Sequence, residues 1–184
     1  MQRLSFIFPR KRRFRRNEDG STVVEFALVI LPFIACMFAI IEVGLVFLAG
    51  QVLETSVGDA SRLILTGQAQ GAGFDANAFK NRICTSAVQA LFKCDGIKID
   101  VRTAASFGGA NLSPPVNASN MLDTSDFTYA PGTQCQIVIV RVVYEWPTFV
   151  STLGLDLATL ANGKRLLMST MAFRNEPYSG TGFC

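Results

Sequence analysis

Apolar positions dominate one part of the chain. From Gly20 to Gly50 the sequence is almost unbroken hydrophobic residues, with Glu25 and Glu42 its only charges and Pro32 its only proline. About 20 such residues suffice for a helix to cross a bilayer, so this stretch predicts a transmembrane helix. The helical pattern continues beyond it. In QVLETSVGDASRLILTG, Leu53, Val57, Ala60 and Ile64 recur at spacings of four, three and four, one face of a helix, while Glu54, Asp59 and Arg62 fall elsewhere. Asp59 and Arg62 are placed to pair on the exposed side. One helix over about 21–66 is therefore predicted, roughly 68 Å long at 1.5 Å per residue, an anchor that continues as the spine of an outer domain.

Glycines in 67–77 end that helix, and Phe79, Ile83, Ala87 and Leu91 predict a second one over about 76–92. Ile97, Ile99 and Val101 alternate with Lys98, Asp100 and Arg102 and predict a strand. Residues 104–134 are rich in Gly, Pro, Ser and Asn and read as a long loop, either a binding surface or a mobile segment, with mobility favoured. The clearest strand runs from Gln136 to Trp146, with Val138, Val140, Val142, Tyr144 and Trp146 facing the core and Arg141 and Glu145 on the other face. Pro147 stops it, one or two helical turns follow in 148–160, and 164–174 is a third strand. The expected fold class is α+β: a long N-terminal transmembrane helix as spine of a small domain with about three antiparallel strands. The divisions are 1–20, 21–66 and 67–184.

Charge sharpens this layout. The formal net charge is +3 over 184 residues. Residues 1–20 hold seven basic residues (Arg3, Arg10, Lys11, Arg12, Arg13, Arg15, Arg16) against Glu18 and Asp19, leaving ten basic and twelve acidic residues beyond them. A basic run abutting a span is explained by orientation, with the N-terminus cytoplasmic, better than by nucleic acid. A secretory signal would have an apolar core of only about 7 to 15 residues, so this segment is expected to stay as an anchor. The residues after about 50 then lie beyond the cytoplasmic membrane, in the periplasm.

Cys84, Cys94, Cys135 and Cys184 all fall in that exported part, and Cys36 lies alone in the span. Two disulfides are expected in an oxidising compartment; three pairings are open, and Cys84 with Cys94 and Cys135 with Cys184 is preferred. Zinc is disfavoured, because the chain has no histidine and no C-x-x-C pair. Asp123 and Asp126 make a weak calcium case. No nucleophile elbow, phosphate loop or metal-spaced carboxylate cluster is present, so neither an enzyme nor a cofactor is expected.

Glu25 is the residue most in need of a reason. An ionised carboxylate in hydrocarbon costs about 3 kcal/mol even on lenient scales. Its partner is either headgroup water or a positive group nearby. Glu42 has two equal readings: about 31 Å along the span from Ser21, it reaches the outer interface, or it stays inside and meets a partner helix. Pro32 is read as a tolerated kink and Cys36 as a packing residue.

The basic leader ending at Gly20, followed by STVVEF, resembles the cleavage region of type IV-like prepilins, with Ser21 as the new N-terminus and Glu25 at the fifth position after the cut. NEDGSTVVEFALVILPFIACMFAIIEVGLVFLAGQVLETSVGDASRLILTGQ is similar to the start of TadE-like proteins, pseudopilins of tight-adherence (Flp) pilus systems: a leader with arginines, a glycine, VEFA, a helix with proline, I-E-x-G and an A-R-x-x-x-T-G-like end. The tail SxxMAFRNEP resembles the family's closing strand. Leu45 and Val46 stand where an arginine is often found, and Ser61-Arg62 replaces the usual Ala-Arg, which leaves TadE and its sister TadF both open. The resemblance implies a pilin-like domain and a minor pilin, cut by a prepilin peptidase at Gly20 and Ser21. It implies recognition and assembly through Glu25, Phe26 and Glu42, placement in the inner membrane or at a pilus tip, and partnership with a sister minor pilin, the major Flp pilin and the inner-membrane platform. The alternatives are an unprocessed single-pass protein with a periplasmic sensor or scaffold domain and, from another class, a membrane-tethered enzyme.

Overall fold

The computed structural model describes residues 20–149, 156–178 and 184. It divides into a segment ending at Phe38 and a compact unit, Ala39–Cys184. The basic run lies outside the described residues.

The first segment supplies the opening turns of α1 (Ser21–Leu65), which contains Pro32 without being ended by it. The first turn of a helix tolerates proline, and deeper in the helix one costs a hydrogen bond that apolar surroundings make valuable. No residue from 21 to 38 is buried. The most apolar 18-residue window of α1 has a mean hydropathy of 2.6 and is 6% buried, so the helix is long and apolar enough to cross a membrane.

In the compact unit α1 buries one stripe. Ala39, Glu42, Val46, Ala49, Leu53, Val57, Ala60 and Ile64 follow one another at steps of three and four. From Val46 to Ile64 the stripe packs into a single core with Val138, Val140, Val142, Tyr144 and Trp146 of β2 (Ile137–Pro147) and Val101 of β1 (Lys98–Ala104). Together with β3 (Lys164–Arg174) these form an antiparallel sheet of order β1-β2-β3. Asp100 stands opposite Arg141, and Val140 opposite Met171. The expected α+β class, with one long helix and three antiparallel strands, is the observed one.

Three local expectations change. The helix expected over 76–92 is two, α3 (Ala76–Ile83) and α4 (Ser86–Leu91), preceded by one short turn, α2 (Gln68–Gly71), inside the glycine-rich segment. Asp75 caps α3 by accepting from Ala78 N at 2.7 Å, and the break falls where Cys84 turns to ψ 60° and Thr85 becomes extended as the cap residue of α4. Second, β2 is buried on both faces: Ile137, Ile139, Arg141 and Val143 are as enclosed as the alternate set. Third, the 104–134 loop is held by hydrogen bonds. Val101 bridges Tyr129 in parallel, Ser113 O accepts from Arg141 Nη1 at 3.0 Å, and Asn120 Nδ2 donates to Thr159 O at 2.8 Å. The helical turns expected in 148–160 fall partly outside the described residues, and 156–160 are not helical. Asp59 and Arg62 form no ion pair among the described residues.

The chain's own end closes the spine helix. Leu65 O accepts from Glu176 N at 2.9 Å, Ile64 O from Gly67 N at 3.1 Å and from Gln70 Nε2 at 3.2 Å. Gly67 has φ 76°, and a Cβ there would collide with the Tyr178 ring. A left-handed residue with no side chain is what a helix C-terminus of this kind needs. Gly67→Ala is therefore expected to destabilise the domain by more than the roughly 1 to 2 kcal/mol of left-handed strain alone. Gly67→Ala in a Tyr178→Ala background should cost only that strain, and denaturant titration of the two pairs checks the difference.

Candidate functional site

Two places on α1 hold the residues that the sequence singles out. At its head, Ser21 Oγ donates to Glu25 Oε1 at 2.9 Å, one turn apart and exposed. Gly20 precedes them with no atom within 4 Å of where its Cβ would be, and Phe26 is also exposed. The helix geometry thus sets the Glu25 carboxylate over residue 21, close to where a new amine would appear if the chain were cut before Ser21.

Glu42 is different. It is 5% exposed, and its Oε1 accepts from Phe149 N at 2.7 Å. Neither reading of this residue anticipated that its own chain would supply a donor from beyond β2. No sequence signal links residues 42 and 149; only the fold brings them together.

Four of the five cysteines are joined as Cys84–Cys94 and Cys135–Cys184, with Cα separations of 6.0 and 5.3 Å. Cys36 is exposed and free. The second bond ties Cys184 to the loop before β2.

A buried ionic centre went unnoticed in the sequence. Asp100 has no exposed side-chain surface and takes five donors: Arg102 Nε and Nη2 at 3.1 and 2.7 Å, Arg141 Nε and Nη2 at 3.0 and 2.6 Å, and Thr128 N at 3.2 Å. Burial pushes its carboxyl pKa up, and the guanidinium bonds from Arg102 and Arg141, with the Thr128 amide, outweigh it and hold the group below its ordinary 3.8. Arg102 also reaches Asp126 O at 2.9 Å. The clue was the opposite charge at facing positions of two strands, which the alternation placed on a face taken to be solvated. Asp123 spends its carboxylate on Ser125, and among the described residues no group of three His, Cys, Asp or Glu converges. The Tyr129 hydroxyl is buried without a partner, and burial first, with Asp75 second, pushes its pKa up to about 12.

Among the described residues, one helix is long and apolar enough to cross a membrane, and the compact unit is an α+β domain with two disulfides. Residues 20–62 match the family model of TadE-like proteins. The matched stretch begins at Gly20, covers under a quarter of the chain, and takes in the apolar helix and most of the spine but not the sheet. No curated protein and no solved structure matches the chain.

Two outcomes follow from the sheet. Asp100 has a depressed pKa, so its stabilisation is full above the unfolded value of about 4 and is lost as pH falls through the folded value. Asp100→Asn should cost about 3 kcal/mol near neutrality, because Arg141 stays buried without its counter-charge. The gap between wild type and variant should shrink below about pH 4 in denaturant titrations, and a gap that is constant with pH would contradict the charge argument. Tyr129→Phe removes a hydroxyl with no partner and should change stability by less than about 1 kcal/mol or raise it; a thermal melt decides.

Proposed function

We propose that this chain is a minor pilin, or pseudopilin, of a tight-adherence (Flp) pilus system, cut between Gly20 and Ser21 by a prepilin peptidase. The observation that carries it is the coincidence of two independent features at one place: the TadE-like match starts at Gly20, and Glu25 sits one turn from Ser21 with Ser21 Oγ as its donor. Cutting there exposes an ammonium on Ser21 and removes the basic leader. Glu25 then neutralises that amine or a neighbouring subunit's, which offsets the cost of about 3 kcal/mol for a carboxylate in hydrocarbon.

In this reading the anchor lies in the inner membrane with its N-terminus cytoplasmic and the disulfide-bonded unit in the periplasm. The exposed apolar residues of 21–38 pack against the helices of a sister minor pilin and the major Flp pilin at the inner-membrane platform. A folded unit of this size suits the start or tip of a pilus for surface adhesion better than its body. The role is one of packing and assembly, with no catalysis, cofactor or nucleic acid.

N-terminal sequencing and intact mass of the membrane protein from its own host, with and without the prepilin peptidase, test this. A start at Ser21 is expected only when the peptidase is present, and a mass four hydrogens below the reduced chain, from the two disulfides, with or without it. Glu25→Ala is expected to be cut yet to lose pilus assembly by at least about tenfold, as a residue needed after processing would. An uncut chain with active peptidase overturns the proposal and leaves a single-pass membrane protein with a sensor or scaffold domain.

A further inference from the structure

We infer that the free edge of β3, from Met168 to Arg174, is a docking site for an extended strand of a different protein, which adds itself to the sheet. The inference rests on the compact unit and not on the proposed cut. The two outer strands of the sheet differ. The outer side of β1 is taken, because Val101 N donates to Thr128 O and Ala130 N to Val101 O, both at 2.8 Å. β3 is the other outer strand. Just past its end, Asn175 N donates toward β2, to Gln136 O at 2.9 Å, whereas Leu166 N donates away from β2, to Thr159 Oγ1 at 2.8 Å. In an antiparallel ladder these two settings alternate, so Met168, Thr170 and Ala172, in step with Leu166, hold both N–H and C=O outward. No hydrogen bond among the described residues takes those groups up.

An open row of backbone donors and acceptors is what another extended chain pairs with, and outer strands that stay single are usually guarded by proline, a bulge or an inward charge. β3 has none of these guards. Its register with β2 runs unbroken from Lys164 to Arg174, and MSTMAF, from Met168 to Phe173, holds no charge and no proline. At Met168 the edge has an apolar groove on each side, one with Phe47 and Leu167, the other with Val116 and Leu166. An added strand sends successive side chains to opposite faces, so apolar residues at its centre fill both grooves. A second copy of the chain fits poorly. β3 carries Lys164, Arg165 and Arg174 and no acidic residue, so two copies paired in register set basic ends against basic ends, parallel or antiparallel. Glu145 answers Lys164 at 2.8 Å, and Glu54, which shares a groove with Arg165, accepts from Gln51 Nε2 at 3.3 Å. Arg165 and Arg174 form no ion pair among the described residues. The strand that fits is apolar at its centre and acidic at its ends.

Amide hydrogen exchange on the full chain in detergent micelles tests this. The probe is a synthetic peptide of alternating Val and Thr with Glu at both ends, long enough to reach from Arg165 to Arg174. In the chain alone the amides of Met168, Thr170 and Ala172 exchange fast, and those of Leu167, Ser169 and Met171, which face β2, exchange slowly. With about 1 mM peptide the first set is expected to slow by at least about tenfold, and clearly less with Lys at the peptide's ends. The same peptide N-methylated throughout should leave the rates unchanged, since it has no donors to pair. Ala172→Pro removes an outward N–H and no bond to β2, so it should abolish the slowing. Arg174→Glu should shift the preference from Glu ends toward Lys ends, which decides the matter even where the proline variant fails to fold. No slowing at about 1 mM, or equal slowing by the Glu-ended, Lys-ended and N-methylated peptides, overturns the inference. Slow exchange of the first set in the chain alone, growing with its concentration, makes a second copy the occupant and overturns it too.

Discussion

The packing of one stripe of α1 against β2 is the contact on which the rest of the domain depends. A three-stranded sheet has no stability of its own without a layer to bury its apolar face, and a helix beyond the membrane gains its stability from the face it packs. Leu53, Val57, Ala60 and Ile64 are at most 3% exposed, and each large side chain among them contributes about 1.5 to 3 kcal/mol by leaving water. The stripe continues downward through Ala49, Val46 and Glu42 to Ala39 without changing face. The same helix is thus a core element of the domain and, in its exposed apolar turns, long and apolar enough to cross a membrane.

Closing such a structure requires holding its ends. The spine's last carbonyls are taken up by Gly67, Gln70 and Glu176, and the segment that supplies Glu176 is tied back through Cys184 to Cys135. On the far side of the sheet, the 104–134 loop covers the second face of β2 and delivers Ser113 O to Arg141. Once that face is covered, Asp100 has to be paired. A carboxylate without its two guanidiniums would be a buried charge, and Arg141 without Asp100 would be another. The ion pair belongs to the loop's role as a second layer.

What was legible in the sequence follows from period. Leu53, Val57, Ala60 and Ile64 declared the spine, and Val138 to Trp146 declared the central strand, because burial on one face leaves a regular trace. IVIVRVVYEW carries a second message, since Ile137, Ile139 and Val143 fill the alternate positions, and a nearly continuous apolar run is what a strand enclosed on both faces shows. Arg141 within that run drew attention to solvent, although its partner Asp100 faces it across the ladder. The break at Cys84 and Thr85 escaped because Phe79, Ile83, Ala87 and Leu91 keep helical spacing across it by coincidence. The contact between Glu42 and Phe149 had no trace at all, being a backbone amide brought from over a hundred residues away.

The two carboxylates of α1 end up in opposite situations, and the difference bears on assembly. Glu42 is enclosed by its own domain, and its carboxylate accepts from the Phe149 amide of the same chain. Glu25 lies on an exposed helical turn among Val23, Val24, Phe26 and Leu28, where its one hydrogen bond among the described residues comes from the Ser21 hydroxyl. Were Glu25 placed in hydrocarbon, a neutral hydroxyl would offset only part of what its carboxylate loses on leaving water, on the order of 1 kcal/mol against about 3. Another hydroxyl would not close that gap, whereas a positive charge at the same distance would. In the proposed reading the free amine of residue 21, made by a cut before Ser21, would be that charge, and Glu25, not Glu42, is the carboxylate the proposal calls on.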